Sequence, residues 1–182
     1  NVGETGPIYG FQWRHTTAQY IQGKHNYEGE GIDQVAQVIE SLTYDPYSRR
    51  HIINAWNVGD LDKMVLPPCH VLYMFSVCEI DNQKYLSLMM TQRSCDTFLG
   101  LGFNICSLGI FLTLMAHRVG MKPYKIIHSI ADMHIYETHM EAASEQIQRK
   151  PYPFPYIKIN CAPKQKLEDY EFSDIKIENY FH

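Results

Sequence analysis

The sequence predicts a single mixed α+β domain, and three observations carry that expectation. Ile32, Val35, Ala36, Val38, Ile39 and Leu42 recur at helical spacing. Residues 69–78 and 85–91 are apolar runs of strand length whose polar connection, 79–84, reads as a hairpin loop. Residues 103–119 are apolar on nearly every side, which predicts a helix buried at the centre of the fold.

The remaining elements follow in order. Asp33 stands in the first turn of the first helix, where a carboxylate suits the helix dipole. Turn chemistry over 44–48 ends that helix, and a strand over 50–56 is entered through Arg49 and Arg50. Leu99-Gly100-Leu101-Gly102 is a glycine-broken loop opening the apolar helix, and Gly120 closes it. Residues 134–150 read as a more polar helix stopped by Pro151, and Pro151, Pro153 and Pro155 form an extended connector. Two closing strands are expected over 156–161 and 173–180. Internal repeats are absent, and one domain over residues 1–182 is expected.

Composition narrows the function classes. At 182 residues with 45% apolar and 20% charged side chains, the chain can bury a real core. A net charge of −4 excludes a global basic face of the kind that drives nonspecific nucleic-acid binding, so any anion site must be a local cluster of arginines. Five cysteines without a CxxC pair argue against a disulfide scaffold and for an intracellular, cytoplasmic setting. The longest apolar stretch, 103–115, falls short of the roughly 20 residues a membrane span needs, so no membrane partner is expected. Asn1 is not an initiator methionine, and the chain is expected to be a piece of a longer protein.

Candidate chemistry starts at Leu66-Pro67-Pro68-Cys69-His70. A lone cysteine is more often a small buried hydrophobe than a nucleophile. Two prolines holding Cys69 at the start of a strand favour the catalytic reading. Free thiols are only slightly ionised at neutral pH, so a catalytic one needs a nearby cation, and Arg93 is the candidate if the two strands pair. His70 is a second candidate or a satisfied structural histidine. Arg49-Arg50 and Arg93-Ser94 suit a phosphate dianion, which prefers guanidinium forks and a hydroxyl, although single arginines usually belong to the solvated surface. Asp96 and Asn104 flank the glycine loop; Asn104 is either a helix N-cap or an amide that reads a pyrimidine edge. His134 and Tyr136 fall at the start of the expected polar helix. No metal set emerges, since His134 and His139 are five apart and miss the i, i+4 spacing of a helical zinc pair.

Taken together, several stretches resemble the thymidylate synthase family. They are Gly6-Pro7-Ile8-Tyr9-Gly10-Phe11-Gln12-Trp13-Arg14, Ser48-Arg49-Arg50, Ala55-Trp56-Asn57, Leu66-Pro67-Pro68-Cys69-His70 and Gln92-Arg93-Ser94-Cys95-Asp96. Phe98-Leu99-Gly100, Phe103-Asn104-Ile105 and Asp132-Met133-His134-Ile135-Tyr136 follow in the family's order, and residues 15–33 resemble its eukaryote-type insertion. The resemblance implies the family's fold, a twisted mixed β-sheet packed by helices including one central buried helix. It also implies reductive methylation of dUMP to dTMP with 5,10-methylenetetrahydrofolate as co-substrate and no metal. By the same resemblance Cys69 adds to C6 of the pyrimidine, Arg93 and Ser94 hold the phosphate, and Arg49 and Arg50 reach it from the partner of an obligate homodimer. Asn104 would bond the uracil edge, His134 and Tyr136 the deoxyribose, and Asp96 the pterin. Tyr9 and His70 would join the proton-transfer network, with Gln92 supporting the nucleotide pocket.

Gly102, Leu108 and Ala131 depart from the family's usual residues without removing any of these groups. The resemblance also implies an amino-terminal segment and a carboxy-terminal lid beyond this chain, so the piece alone is expected to be inactive. Some family members are fused to dihydrofolate reductase. A pyrimidine hydroxymethylase of the same fold, a noncatalytic RNA-binding remnant and a cysteine hydrolase are the competing readings. Asn104 favours uracil over cytosine, and the acidic charge disfavours RNA. The hydrolase is disfavoured because neighbours on a strand point to opposite faces.

Overall fold

The computed structural model describes residues 3–181. A short helix α1 (Tyr9–His15) leads to α2 (Gln34–Tyr44), β1 (Ile52–Asn54) and a 3-10 turn over Val58–Lys63. The strands β2 (His70–Ile80) and β3 (Gln83–Asp96) follow, then α3 (Leu101–Arg118), β4 (Lys122–His134), α4 (Met140–Gln146), β5 (Tyr156–Ile159) and β6 (Ile175–Glu178). The main sheet runs β1-β2-β3-β4, and β5-β6 form a separate antiparallel ribbon. β1/β2 and β2/β3 pair antiparallel, while β3/β4 pair parallel. A parallel pair needs a crossover, and α3 supplies it. The sheet is therefore mixed and packed by helices, as the fold-class expectation holds.

Local sequence explains the joints. The Asp33 side chain accepts the Ala36 N–H at 2.9 Å and so caps α2. The hairpin turn is tighter than the six-residue loop expected: Asp81 and Asn82 alone form it, with φ of +50° and +59°. That backbone is a type I′ turn, which matches the strand twist and tolerates Asp and Asn. Val35, Val38, Ile39 and Leu42 of α2 join Leu108, Leu112, Met115 and Ala116 of α3 around Ile53, Phe75, Leu86, Leu88 and Met90 of the sheet.

Several expectations need correction. The expected helix over 134–150 shortens to a 3-10 turn over Glu137–His139 followed by α4. His134 is the last residue of β4 rather than a helix start, while Tyr136 caps the 3-10 turn. β4 itself was not anticipated; only Ile126, His128, Ile130 and His134 along it are partly covered, an alternation interrupted by lysines and a proline. The strand expected over 50–56 contracts to β1, leaving Arg50 outside it, and the closing strands shorten to β5 and β6. α3 is covered along one stripe only. Leu108, Leu112, Met115 and Ala116 are buried against the sheet, whereas Phe103 is 80% and Ile105 48% exposed. One sheet can cover one side of a helix. By length and composition α3 could cross a membrane, but its buried stripe is that of a core helix.

Candidate active site

The cleft begins with how α1 is docked. Gly6 has φ of +79°, and a Cβ there would lie 2.1 Å from the Lys63 carbonyl oxygen, so only glycine lets the chain pass the 58–63 turn. Gln12 of α1 is fully buried and donates to the Pro7 carbonyl at 3.0 Å and to the Asp60 carboxylate at 2.9 Å. Asn57 donates to the same carboxylate at 2.9 Å and to Gln12 Oε1 at 3.2 Å. Burial pushes the Asp60 carboxyl up, but the bonds from Lys63 and Gln12 bring it net below the usual value. This polar knot fixes α1 so that the Tyr9 hydroxyl accepts the backbone N–H of Cys69 at 2.7 Å and of His70 at 3.3 Å. Burial is the main reason the Tyr9 phenol is raised.

Cys69 occupies the bend just before β2. Pro68 is fully buried. Arg93, opposite on β3, donates its backbone N–H to the Cys69 carbonyl at 2.9 Å, Nε to the Pro68 carbonyl at 2.9 Å and a terminal nitrogen to the Pro67 carbonyl at 2.7 Å. The predicted pairing thus exists, and Arg93 clamps the cysteine loop with its guanidinium. Cys69, in the bend before β2, and His70, the first residue of β2, line the same cleft. The opposite-faces argument against a Cys69–His70 pair therefore fails, because Cys69 lies outside the strand.

Gln92, Ser94 and Asp96, at alternate positions of β3, line the cleft, and Asn104 faces them from α3. Asn104 is the fourth residue of α3, so it is no N-cap; Gly100 holds that position. Gln92, 2% exposed, donates to the Ser94 carbonyl at 2.9 Å and to Asn104 Oδ1 at 3.0 Å, and its Oε1 lies 2.8 Å from His128 Nε2. The Ser94 carbonyl can only accept, so it fixes which end of the Gln92 amide is nitrogen. Gln92 in turn fixes the Asn104 amide with its oxygen inward. Asp96 Oδ1 accepts the N–H of Phe98 at 3.0 Å and of Leu99 at 3.1 Å, shaping the glycine loop. Burial lowers His70, with Asn104 opposing, and burial alone lowers His128.

The cleft has a volume of about 750 Å³, and Trp13, Leu108, Ile110, Phe111 and Leu114 form its apolar wall. An enclosure that is mostly apolar with a few convergent polar groups suits a small ring compound. Tyr9, Cys69, His70, Gln92, Ser94, Asp96 and Asn104 are brought together there. Arg93 lies behind the cysteine loop, outside the cleft lining. His134 and Tyr136 also stand outside it: His134 pairs in register with Asp96 and bonds Asp132 at 2.8 Å, and Tyr136 is 55% exposed. Arg49 and Arg50 are exposed, and Arg49 borders a separate groove beside Met74 and Ser76. Sequence reasoning missed Tyr73, Trp13 and Phe111. The period-two pattern of β2, which places Tyr73 and Phe75 on the buried face, is the signal that would have found the first. Among the described residues, no group of three His, Cys, Asp or Glu side chains could hold a metal ion.

A mixed sheet with one main cleft, and a cysteine held at its lip by a strand-end clamp, defines an α+β domain built around a potential nucleophile. The chain belongs to the thymidylate synthase family: the profile described as Thymidylate synthase matches residues 1–182. It is 45% identical over 184 residues to the thymidylate synthase of Saccharomyces cerevisiae, covering 98% of this chain and 60% of that protein. Over 178 residues it is 44% identical to the thymidylate synthase of Herpesvirus ateles, again 98% of this chain and 60% of the relative. Over 181 residues it is 45% identical to the bifunctional dihydrofolate reductase-thymidylate synthase of Plasmodium chabaudi, covering 100% of this chain and 30% of that protein. The chain thus spans 60% or less of the length of these relatives.

Proposed function

We propose that this chain forms the nucleotide-binding body of a thymidylate synthase that methylates dUMP to dTMP. The observation that carries this reading is the locked amide of Asn104 in the same cleft as Cys69. In this reading the Asn104 oxygen stays with Gln92, and its NH2 meets the O4 carbonyl of uracil rather than the N4 amine of cytosine. This orientation favours the synthase over a cytosine-directed hydroxymethylase.

Cys69 thiolate adds to C6 of the ring, making C5 a nucleophile. 5,10-methylenetetrahydrofolate supplies both the one-carbon unit and the hydride. C5 bonds the one-carbon unit as that carbon's bond to N10 of the folate opens. C5 then loses its proton through the network of Tyr9 and His70 as the bond to N5 breaks, expelling tetrahydrofolate and leaving an exocyclic methylene. Hydride transfer completes the methyl group, and the Cys69–C6 bond breaks to release dTMP and dihydrofolate. Covalent addition divides a difficult carbon–carbon bond formation into easier steps.

In this reading Ser94 and Arg93 serve the phosphate, Asp96 the pterin, and His134 and Tyr136 the sugar, after closure brings them in. Arg49 and Arg50, exposed and remote from their own cleft, serve the site of a partner in a homodimer. Relatives include both stand-alone and bifunctional synthases, so the mass of the full-length protein decides which arrangement applies. The five free thiols suit a reducing, intracellular setting. The chain spans 60% of the length of the stand-alone synthases it matches, so the activity is assigned to the full-length protein and the 182-residue piece alone is proposed to be inactive.

The test is product analysis with the full-length protein. dTMP and dihydrofolate from dUMP support the reading; hydroxymethylated nucleotide, or preference for dCMP, refutes it.

A further inference from the structure

The motif at the cysteine stops at His70, yet the side chain that completes the surroundings of His70 is Tyr73, which the proposed reaction does not use. Tyr73 is 3% exposed on β2, held edge-on by Trp13 at 5.0 Å and by Phe111 at 5.9 Å between ring centres. Its hydroxyl lies 3.1 Å from Nδ1 of His70, the one hydrogen-bond partner it has among the described residues. Burial raises the Tyr73 phenol well above its ordinary value, so its proton stays on oxygen. A buried hydroxyl with one neighbour in reach is satisfied by donating to it. Nδ1 must then present its lone pair, and the ring proton belongs on Nε2.

We infer that Tyr73 is a positioning residue whose hydroxyl fixes His70 as the neutral Nε2–H tautomer, presenting that N–H as a donor inside the cleft. Its ligand would be an acceptor atom such as a pyrimidine carbonyl, and that identity rests on the reading above; the tautomer does not. An imidazolium would place a proton on Nδ1, and the phenol would then have to rotate and accept it, leaving its own buried proton without its partner. Other groups also face His70. Tyr9 from α1 stands 5.8 Å away ring to ring and Cys69 is its chain neighbour. A side-chain hydrogen bond with Asn104 of α3 works the other way and favours the charged ring, while a charge on His128 of β4 would lower His70 further.

The decisive test needs no variant. Long-range proton–nitrogen NMR correlations on the 15N-labelled chain report which ring nitrogen of His70 is protonated. The proposal predicts a bare Nδ1, a protonated Nε2, and a ring that stays neutral below the ordinary imidazole value. Tyr73→Phe should give a mixture of tautomers and an upward shift of the His70 titration, and in the full-length protein should move the acid limb of kcat upward. An Nδ1–H tautomer in the unmodified chain, or an unchanged tautomer and titration in Tyr73→Phe, overturns the assignment. The predicted tautomer in a protein that fails to turn over dUMP supports the Tyr73 assignment and refutes the substrate reading instead.

Discussion

Replacing Gln92 by Leu removes an amide that is 2% exposed and joined to Ser94, Asn104 and His128 at 2.9, 3.0 and 2.8 Å. Leucine nearly preserves the volume, so the loss is polar. Each bond is worth about 0.5–1.5 kcal/mol net. Asn104 and Ser94 border the cleft, where water can replace part of what is lost. A destabilisation of about 2–3 kcal/mol follows. With a urea slope of about 2 kcal/mol per molar for a chain of this size, the unfolding midpoint should fall by about 1–1.5 M. Gln92→Glu should behave similarly at neutral pH, since a carboxylate cannot donate to the Ser94 carbonyl or to Asn104 Oδ1. It should recover partly in acid, where protonation restores one donor. A midpoint shift below about 0.3 M for Gln92→Leu would refute the view that this amide organises the cleft.

Other consequences can be measured alongside it. Gly6→Ala forces a side chain into positive φ against the Lys63 carbonyl, and should cost at least ~2 kcal/mol in urea denaturation; an unchanged midpoint would contradict the docking of α1. His70 and His128 are both lowered by burial, so the folded chain binds fewer protons than the unfolded one just below the ordinary histidine value of about 6.5. Stability should therefore fall as pH drops through that value, and Tm measured against pH should slope upward toward neutrality; a flat profile would count against buried neutral histidines. Asn82→Gly should raise stability by about 0.5 kcal/mol, because two consecutive positive φ angles favour glycine. Mixing Cys69→Ala and Arg50→Ala full-length subunits, each inactive alone, should restore up to about a quarter of normal activity if arginines cross a twofold interface. No recovery after subunit exchange would argue that Arg50 serves its own cleft.

Legibility in the sequence followed physical range. The helix over α2 was readable because its apolar period is clean and Asp33 marks its start. β2 and β3 were readable from their composition, although the turn proved shorter because Asp81 and Asn82 can both adopt positive φ. β4 escaped notice because it is an edge strand, so its exposed side carries Lys122, Lys125 and Ser129 and blurs the alternation. The polar residues converging at the cleft were named through motif resemblance, but their mutual orientation was not. That orientation depends on the Ser94 carbonyl, a backbone atom, and on Tyr73, which no motif includes. Arg93 shows the limit most clearly. The sequence allowed it to serve a thiolate or a phosphate, whereas the fold turns its guanidinium to the Pro67 and Pro68 carbonyls, making it first a clamp on the loop that presents Cys69.

The most direct test of Cys69 as nucleophile is covalent trapping in the full-length protein. A 5-fluoro substituent on dUMP replaces the C5 hydrogen with an atom that cannot leave as a cation, so the reaction should halt after carbon–carbon bond formation with the enzyme still attached. Intact mass and peptide mapping, with 5-fluoro-dUMP and 5,10-methylenetetrahydrofolate present, should find one nucleotide–folate adduct on the peptide containing Cys69 and none after Cys69→Ala. An adduct on Cys95 or another cysteine, or a protein that turns over dUMP without any adduct, would contradict the account.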